Sequence, residues 1–346
     1  MGGVETWLVQ VLRRLDRKRF HVDILTNTEE ECFFDQEVEA LGCRLLPCLH
    51  PSQPVLFARN FFRILRKFGP YDVVHSHVFR YSGFIMRLAD AAGVPFRLAQ
   101  SHNTSENRRL TFFRRGYNWL MTKWLNNYAT HLLAVSPAAA TALFGHQSLS
   151  DPRLCIIPPA IDFIPFRDNF SPEKIRASLG LSQEEKILGH VGRFEEQKNH
   201  LFLLKVIHSL RKKYPNTRCL LVGDGPLRPE VEARAKELGL ADRITFAGVR
   251  NDVPGLLKGA IDILLFPSKW EGFGRVILEA QAAGLPCLVS DVVPSDVDVV
   301  KPLVRRLSLS QTAEVWAQAV WDMLQSPLPI SQAEALRQVE ESPFNI

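Results

Sequence analysis

The segment 192–199 carries two cations at a spacing that suits a diphosphate. It reads Gly-Arg-Phe-Glu-Glu-Gln-Lys-Asn and lies between an apolar run and a helical stretch, so Arg193 and Lys198 would share one short loop. An arginine offers a planar pair of donors and a lysine a mobile charge, and the amides that open a helix add partial positive charge. We therefore predict a phosphate-binding loop. The alternative is that both cations are solvated and paired with Glu195 and Glu196.

The segment 271–279 carries two carboxylates on either side of a glycine turn. It reads Glu-Gly-Phe-Gly-Arg-Val-Ile-Leu-Glu, which places Glu271 before a helix and Glu279 about two turns inside it. Glycine lets a ligand approach the backbone, and Glu279 lies among apolar residues, where a carboxylate needs donors such as sugar hydroxyls. We predict a sugar-binding loop here, with an internal ion pair to a neighbouring arginine as the alternative.

Short apolar runs alternate with amphipathic stretches along the whole chain, which predicts parallel sheets covered by helices on both faces. The predicted strands are residues 21–26, 72–76, 96–101, 131–135, 155–158, 186–191, 218–223, 244–247, 263–267 and 286–290. The main predicted helices are residues 4–15, 59–67, 82–92, 201–213, 227–238 and 274–283. The Pro- and Asp-rich stretch 158–168 breaks both patterns and is the predicted linker, after which Ser171 and Pro172 are typical of a helix start. Doubly wound domains of this kind bind ligands beyond the carboxyl ends of their strands.

The composition limits the class of protein. A chain of 346 residues, 46% of them hydrophobic, is long enough for two ordered domains and excludes wholesale disorder. The net charge of +5 suits an anionic ligand or a membrane face without indicating nucleic acid. No apolar run reaches the roughly 20 residues of a spanning helix and no signal peptide is recognised, so we expect a cytoplasmic protein. The six cysteines form no Cys-x-x-Cys pair, which predicts buried free thiols.

Together these segments resemble the retaining glycosyltransferases of family 4, which have the GT-B fold. The resemblance covers most of the second half of the chain and extends to Val-Gly-Asp-Gly-Pro-Leu at 222–227, Gly-Val-Arg-Asn-Asp-Val at 248–253 and Ala-Gln-Ala-Ala-Gly-Leu-Pro at 280–286. It implies an α/β protein of two doubly wound, Rossmann-like domains that face a cleft. Residues 1–162 would form the acceptor-side domain, 163–312 the nucleotide-sugar-binding domain, and 313–346 a C-terminal helix and tail packed back on the N-terminal domain.

The resemblance also implies a role for each charged residue of the two segments. Arg193 and Lys198 would hold the donor diphosphate and stabilise the charge of the leaving group. Glu279 would bind the ribose hydroxyls, and Glu271 would contact the transferred sugar. Backbone groups complete the implied donor site: the amides of Phe273 and Gly274 near the sugar, and the backbone of Val249 and Arg250 against the base. No metal and no cofactor is expected, and UDP is the nucleotide we expect in the donor.

The first half resembles the same family through its glycines and histidines. Gly2 and Gly3 resemble the family's glycine loop and are expected to contact substrate, although Met-Gly-Gly-Val-Glu-Thr also fits the N-myristoylation pattern. His102 follows the predicted strand 96–101 and would contact the donor sugar or the reaction centre, which makes it the catalytic candidate of this half. His75 and His77, at the end of the preceding strand, are weaker candidates.

Three features depart from the family pattern. The family normally has an apolar strand before the glycine loop, in the centre of the N-terminal sheet, whereas this sequence begins at the loop; we therefore expect an unfilled position in that sheet. Pro-Ala-Ile-Asp at 159–162 replaces the more common Asn-Gly-Ile-Asp turn. The stretch 290–294 lacks the frequent glycine pair, and with Leu-Ser-Leu-Ser at 307–310 and Trp316 it resembles the branch associated with capsular polysaccharide and exopolysaccharide synthesis.

The stretch 108–124 mixes five cations with aromatic residues and has Glu106 as its local counter-charge. Such a surface could lie on an anionic membrane, in which case the acceptor would be a lipid-linked sugar. The alternative is an ordinary helix with an apolar buried side and a basic solvated side. No recognised nucleic-acid-binding module is present, so we expect no nucleic-acid partner.

The prediction is a glycosyltransferase that moves a sugar from a nucleotide-diphosphate sugar to a polysaccharide or lipid-linked acceptor, with retention of configuration. Two alternatives stay open. A non-hydrolysing nucleotide-sugar epimerase shares the fold but would need acids and bases that the segment 271–279 does not suggest. A nucleotide-sugar-binding remnant without transfer activity would follow if the unfilled position disabled the acceptor domain.

Overall fold

The structure is a computed structural model that describes residues 3–104 and 111–346. Contacts divide these residues into two compact units, Gly3–Pro158 and Pro159–Ile346, which we call the first and the second unit. The division falls at the start of the stretch 158–168, where Pro and Asp interrupt the sequence pattern. Over the two described ranges, no helix combines the length and the hydropathy needed to cross a membrane.

Strands and helices alternate along the first unit. Its strands are β1 (Asp23–Thr26), β2 (Arg44–Pro47), β3 (Val73–Ser76), β4 (Phe96–Ser101), β5 (His131–Ala134) and β6 (Leu154–Ile156). Its helices are α1 (Gly3–Arg14), α2 (Asp35–Ala40), α3 (Pro54–Phe68), α4 (Ser82–Ala91), α5 (Phe112–Tyr128) and α6 (Pro137–Phe144). All strand pairs are parallel.

The described strands of the first unit lie in two sheets, one formed by β1 and β2 and one with the order β3-β4-β5-β6. A hydrogen bond from the Tyr71 hydroxyl, two residues before β3, to the carboxylate of Asp23, the first residue of β1, links the two sheets. Strands of parallel sheets are normally covered on both faces, yet Leu25 on β1 is 38% exposed and Val73 on β3 is 47% exposed. The described strands of the first unit thus form two separate sheets and not one continuous sheet.

The second unit also alternates strands and helices. Its strands are β7 (Lys186–Val191), β8 (Thr217–Val222), β9 (Ile244–Gly248), β10 (Ile263–Phe266), β11 (Cys287–Ser290) and β12 (Val304–Leu307). Its helices are α7 (Pro172–Ser178), α8 (His200–Lys213), α9 (Arg228–Glu237), α10 (Val253–Gly255), α11 (Arg275–Ala282), α12 (Ala313–Gln325) and α13 (Gln332–Glu340). Helix α7 begins where the sequence predicts it, because the Ser171 hydroxyl accepts a hydrogen bond from the Lys174 amide at 3.3 Å and Pro172 opens the helix.

The sheet of the second unit winds in two directions from its centre. Its order is β12-β11-β10-β7-β8-β9, and all neighbours are parallel. From β7 the chain adds β8 and β9 on one side and then returns to add β10, β11 and β12 on the other. The winding therefore reverses between β7 and β10. In doubly wound sheets, the carboxyl ends of the two strands at this reversal border the ligand-binding crevice.

The helices of residues 313–346 pack on elements of the second unit. Helix α12 lies against α8, and α13 lies against α11. Trp316 and Val320 on α12 are fully buried, and the Trp316 indole donates a hydrogen bond to the Ser308 carbonyl at 3.1 Å. They pack there because α8 presents an apolar face, which the apolar side chains of α12 cover.

The cysteines differ in part from the prediction of buried thiols. Cys43, Cys48, Cys219 and Cys287 are buried, whereas Cys32 and Cys155 are exposed. Cys155 is exposed because β6 lies at the edge of its sheet.

Candidate active site

The two charged segments lie at the carboxyl ends of β7 and β10, the neighbouring strands where the sheet reverses its winding. The loop 192–199 follows β7, and the loop 267–274 follows β10. The Lys198 ammonium donates a hydrogen bond of 2.6 Å to Glu271 Oε1, so a cation of one loop meets a carboxylate of the other. The sequence predicted both groups separately, and the structure brings them into direct contact.

Three further contacts tie the two loops together. The Asn199 side chain donates to the Pro267 carbonyl at 3.1 Å, and the Lys269 amide donates to the Gln197 carbonyl at 2.8 Å. The Lys269 ammonium also lies 3.1 Å from a carboxylate oxygen of Glu196. Asn199 has φ of 57°, a left-handed conformation that Asn tolerates better than most residues. These contacts hold Lys198 and Glu271 in a defined geometry.

The contact between Lys198 and Glu271 is largely removed from solvent. The side chains are 17% and 7% exposed, and the ammonium lies 4.6 Å from the centre of the Phe266 ring. A buried ion pair is costly to desolvate unless its remaining donors and acceptors are used. An ammonium has three donors and a carboxylate about four acceptor positions. The pair can therefore bind a ligand that offers both anionic oxygens and hydroxyl groups.

Arg193 is held less firmly than Lys198. Its Nε lies 3.1 Å from Glu195 Oε1, and the two side chains are 48% and 39% exposed. This contact matches the alternative interpretation for Arg193, whereas Lys198 pairs with Glu271 instead of Glu195 or Glu196. Exposed ion pairs contribute on the order of 0–1 kcal/mol, so Arg193 can exchange Glu195 for a stronger anion at little cost.

Glu279 pairs with the arginine one turn before it in α11. Arg275 Nη2 lies 3.9 Å from Glu279 Oε1, and the side chains are 12% and 17% exposed. Burial raises the pKa of Glu279, and the charge of Arg275 opposes that rise. The ion pair expected as an alternative is therefore present. Sequence reasoning did not single out Arg275 as a site residue, although its four-residue spacing from Glu279 was a usable signal.

Two glycines at this end of the sheet lie where neighbouring parts of the protein leave little room for a side chain. Gly223 has φ of 127°, and a Cβ atom there would lie 2.2 Å from the Gly192 carbonyl oxygen. Gly274 has φ of 96° and immediately precedes α11. The neighbouring Phe273 is 4% exposed and packs edge-on against Phe344 at 5.1 Å. This contact between two aromatic rings thus stabilises the turn that precedes α11.

Val249 and Arg250 follow β9 at the same end of the sheet. The Gly223 amide donates to the Gly248 carbonyl at 2.7 Å, which joins the ends of β8 and β9. The Arg250 guanidinium forms two hydrogen bonds to Asp252, at 2.8 and 2.6 Å, so its charge is locally neutralised. Both predicted residues thus lie among the loops at the carboxyl ends of the strands.

Two buried histidines behind the loop 192–199 were not predicted. The rings of His190 and His200 lie 4.7 Å apart, and His190 Nδ1 is 2.9 Å from the Leu265 carbonyl oxygen. Burial lowers the pKa of His190 to about 4 and that of His200 to about 2, with the neighbouring charges adding to the effect. Both rings are therefore neutral near pH 7. Their positions at a strand end and a helix start were the available sequence signal.

In the first unit, the predicted His102 is part of an aromatic cluster. His77 Nδ1 lies 2.9 Å from His102 Nε2, and the Trp7 ring lies 5.7 Å from His77 and 5.6 Å from His102. The His75 ring lies 4.1 Å from that of His77. Burial lowers the pKa of His77 to about 2, and repulsion from the two neighbouring imidazoles adds to the shift. His77 is therefore neutral near pH 7. One hydrogen, on either His77 Nδ1 or His102 Nε2, forms the hydrogen bond between the two rings.

The predicted glycine loop is described only in part. Gly3 is the first residue of α1, with no neighbouring atom within 4 Å of a Cβ built on it, and Gly2 lies outside the described residues. Within 3–104 and 111–346, no three His, Cys, Asp or Glu side chains are grouped so that they could hold a metal ion.

These features define an α/β protein in which the doubly wound sheet of the second unit carries a cation and a carboxylate in contact where its winding reverses. Sequence comparison then identifies the family. Residues 171–341 match the family Glycosyl transferases group 1, and residues 1–163 match Glycosyltransferase Family 4. EpsF of Bacillus subtilis, named as a glycosyltransferase, is 35% identical over 329 residues, which cover 92% of this chain and 84% of EpsF. The chain belongs to this glycosyltransferase family.

A second relative and a solved structure are also similar to this chain. The Escherichia coli protein named UDP-Gal:alpha-D-GlcNAc-diphosphoundecaprenol alpha-1,3-galactosyltransferase is 26% identical over 307 residues, covering 84% of this chain and 77% of that protein. The crystal structure of Anabaena HepE in complex with UDP-glucose superposes with a TM-score of 0.82 at 18% identity, over all of this chain and 93% of HepE. The two units therefore have the Rossmann-like domains of the GT-B fold, as predicted.

Proposed function

We propose that this glycosyltransferase transfers a hexosyl residue from a UDP-sugar to a polysaccharide or lipid-linked acceptor, with retention of configuration and without a metal ion. The second unit would bind the donor and the first unit the acceptor. The observation that carries the proposal is the contact between Lys198 and Glu271 where the sheet of the second unit reverses its winding. A nucleotide sugar presents anionic phosphate oxygens next to sugar hydroxyls, and this pair offers a donor for the former and an acceptor for the latter.

Lys198 and Arg193 would bind the diphosphate. Lys198 can keep its bond to Glu271 and donate a second proton to a phosphate oxygen, while Arg193 leaves the exposed contact with Glu195. When the bond between the anomeric carbon and the phosphate oxygen breaks, negative charge grows on that oxygen. Cations that are already in place stabilise this charge most strongly in the transition state.

The other predicted residues would bind the rest of the donor. Glu271 would accept hydrogen bonds from the transferred sugar, and Glu279 from the ribose. The backbone contacts would come from four residues: Phe273 and Gly274 at the sugar, and Val249 and Arg250 at the base. In the first unit, His102 would contact the donor sugar or the reaction centre, held by its hydrogen bond to the neutral His77, with Gly2 and Gly3 as further substrate contacts.

The comparisons support the finer assignments. The Escherichia coli relative is named for a UDP-Gal donor, a diphosphoundecaprenol-linked acceptor and an alpha-1,3 linkage. HepE binds UDP-glucose in a structure of the same fold. We infer a UDP-sugar donor, a lipid-linked acceptor and an α-linked product for this chain as well, within a pathway of exopolysaccharide synthesis.

A donor screen followed by a transfer assay tests the proposal. We expect UDP-sugars to raise the thermal unfolding temperature in the presence of EDTA, and an undecaprenyl-diphosphate sugar to be extended with an anomeric configuration that NMR shows to be that of the donor. Donor binding without transfer to any lipid-linked or polysaccharide acceptor would favour a binding remnant. Interconversion of donor epimers would identify an epimerase, and an inverted linkage would contradict retention.

We further propose that the protein acts in the cytoplasm in peripheral contact with the inner face of the membrane. Phe112, Arg115, Trp119 and Lys123 are spaced by three or four residues and therefore lie on one face of α5. Phe112 is 86% exposed and Trp119 is 64% exposed, and the opposite face carries the buried Met121. Aromatic rings interspersed with cations on an exposed helix face are typical of binding to an anionic bilayer. Residues 108–110 of the predicted basic stretch and Glu106 lie outside the described residues.

Vesicle flotation tests the membrane contact. We expect the protein to float with vesicles that contain anionic lipid, less so at high salt, and not with zwitterionic vesicles. The double variant Phe112→Ser/Trp119→Ser should lose this binding. Val55→Ser is the matched control, because Val55 is 82% exposed on α3, outside the proposed surface. Equal flotation of the double variant and the wild type would show that α5 is an ordinary solvated helix.

A further inference from the structure

Arg275 occupies a position that neither helix stability nor solvation favours. It is the first residue of α11, where the partial positive charge of the helix N-terminus opposes a cation. Its side chain is 12% exposed, so it has lost much of its hydration. Its anionic partner follows it by four residues, and in helices the reverse order, acid before base, is the more favourable. The helix alone therefore gives no reason for an arginine here.

The geometry of the pair between Arg275 and Glu279 also differs from that of a structural ion pair. Arg306 and Asp298 in the same unit have similar exposure, 23% and 16%, and form two hydrogen bonds of 2.8 Å. Arg275 Nη2 remains 3.9 Å from Glu279 Oε1, which is too long for a hydrogen bond. Across the described ranges, no hydrogen bond ends on the Glu279 carboxylate. The carboxylate thus has a nearby positive charge and keeps its acceptor positions.

We propose that Arg275 is a positioning residue for donor recognition, which keeps the buried Glu279 ionised while leaving both carboxylate oxygens to the ribose hydroxyls. This inference rests on the proposed function, in which Glu279 binds the ribose. A vicinal diol donates two hydrogen bonds, and an ionised carboxylate accepts both, whereas a protonated carboxyl group has lost one acceptor position. The long distance between Arg275 and Glu279 is then required, because a direct hydrogen bond would occupy a carboxylate oxygen that the ribose needs.

Other charges near α11 do not replace Arg275. The elements packed against α11 are α13, β11, the turn Leu256–Ala260 and the turn Ser295–Val297. Their ionisable residues are Lys258, Cys287, Asp296, Glu334, Arg337 and Glu340. Lys258 donates to the carbonyls of Phe166 and Asp168, and the charged residues of α13 pair with one another, with Glu341 or with Arg167. In the described part of the chain, Arg275 is the cation that pairs with Glu279.

The pH dependence of UDP binding tests this role. Burial raises the pKa of Glu279 and Arg275 opposes the rise, so removing Arg275 raises this pKa further. An acid with a raised pKa loses its carboxylate form as the pH falls. In Arg275→Met we therefore expect UDP affinity, measured by calorimetry across a pH series, to begin falling at a higher pH than in the wild type, with a loss on the order of tenfold for each pKa unit by which the two proteins differ. Arg275→Lys should keep the profile of the wild type.

Further variants distinguish an effect of Arg275 through Glu279 from a direct contact with the ligand or a purely structural role. Glu279→Gln should bind UDP weakly at every pH, and the double variant Arg275→Met/Glu279→Gln should lose nothing further. Arg306→Met removes a cation of similar burial that pairs with Asp298, and should leave the pH profile of UDP binding unchanged. At low pH, Arg275→Met should also discriminate less than the wild type between UDP and its 2′,3′-dideoxy analogue.

Two results would overturn the inference. A loss of affinity in Arg275→Met that is equal at every pH and equal for pyrophosphate would mean that Arg275 touches the phosphates directly. Unchanged UDP binding, whatever happens to the thermal stability, would mean that the arginine is structural. Failure of the proposed function itself looks different, because the wild-type protein would then bind no nucleoside diphosphate at any pH.

Discussion

At the residue scale, the proposed donor binding would depend most on groups that already lie in place before the ligand arrives. Lys198 is held by Glu271 at 2.6 Å and by the aromatic ring beneath it, so little side-chain freedom is lost on binding. Arg193, at 48% exposure, must give up an exposed contact and become ordered. The two cations should therefore contribute unequally to affinity.

We expect Lys198→Met to weaken UDP binding by on the order of 1–3 kcal/mol, the range of a lost hydrogen bond to a charged group. Isothermal calorimetry measures the change directly. Lys205→Met is the matched control, since Lys205 is an exposed lysine of α8 in the same unit. An unchanged dissociation constant for a folded Lys198→Met protein would refute the phosphate-binding loop.

The buried imidazoles give a second prediction, for stability against pH. The folded-state pKa of His200 is lowered to about 2, so the folded protein excludes a proton that the unfolded chain binds below about pH 6.5. The unfolding free energy must therefore fall as the pH drops below that value, by at most about 1.4 kcal/mol per pH unit for this residue. His200→Phe, which can keep the stacking on Phe194, should reduce the slope.

Urea denaturation at about pH 7 and about pH 5 measures how the unfolding free energy of the wild type and of each variant depends on pH. His146→Gln removes an exposed histidine and should leave the pH dependence as it is. If His200→Phe retained the slope of the wild type, His200 would have to take up its proton in the folded protein.

At the element scale, local patterns predicted most of the strands because a buried parallel strand is a continuous apolar run. The two strands that were missed lack such a run: β2 reads Arg-Leu-Leu-Pro and β12 reads Val-Arg-Arg-Leu, and both lie at the edge of a sheet. The two site loops were predicted from residue types and from the family resemblance. The bond between Lys198 and Glu271 was not, because it depends on β10 lying beside β7, which no local pattern encodes.

The loop after β8 gives a prediction at this scale. A Cβ at Gly223 would combine φ of 127° with a contact of 2.2 Å to the Gly192 carbonyl oxygen, so Gly223→Ala must displace the loop 192–199. We expect a loss of stability of roughly 1–3 kcal/mol or more, together with weaker UDP binding. Gly239→Ala is the control with a positive φ of 66° and open surroundings, and should cost only about 1 kcal/mol. Thermal unfolding and calorimetry of both variants decide whether the close approach matters.

At the scale of the whole molecule, residues 313–346 belong to the second unit. The sequence could not show this, because an amphipathic helix such as α12 indicates that it covers an apolar surface without saying which one. The structure supplies the answer through Trp316, which is fully buried against α8 and hydrogen-bonded to Ser308.

We therefore expect Trp316→Ala to destabilise the second unit by about 3–5 kcal/mol, the range for removal of a large buried aromatic side chain. Trp119→Ala, which truncates an indole that is 64% exposed, should change stability by no more than about 0.5 kcal/mol. Urea denaturation followed by circular dichroism provides the comparison. Equal small effects of the two substitutions would mean that α12 does not contribute to the core.

The two ends of the second unit are bonded to each other. The Ile161 amide donates to the Phe344 carbonyl at 2.7 Å, and the Ile346 amide donates to the Ile161 carbonyl at 3.1 Å. A domain whose chain enters and leaves at one point is modular, because it can be inserted into another polypeptide, or rejoined as a circular permutant, without stretching its backbone. Gene recombination between related proteins can therefore exchange this unit with its fold intact.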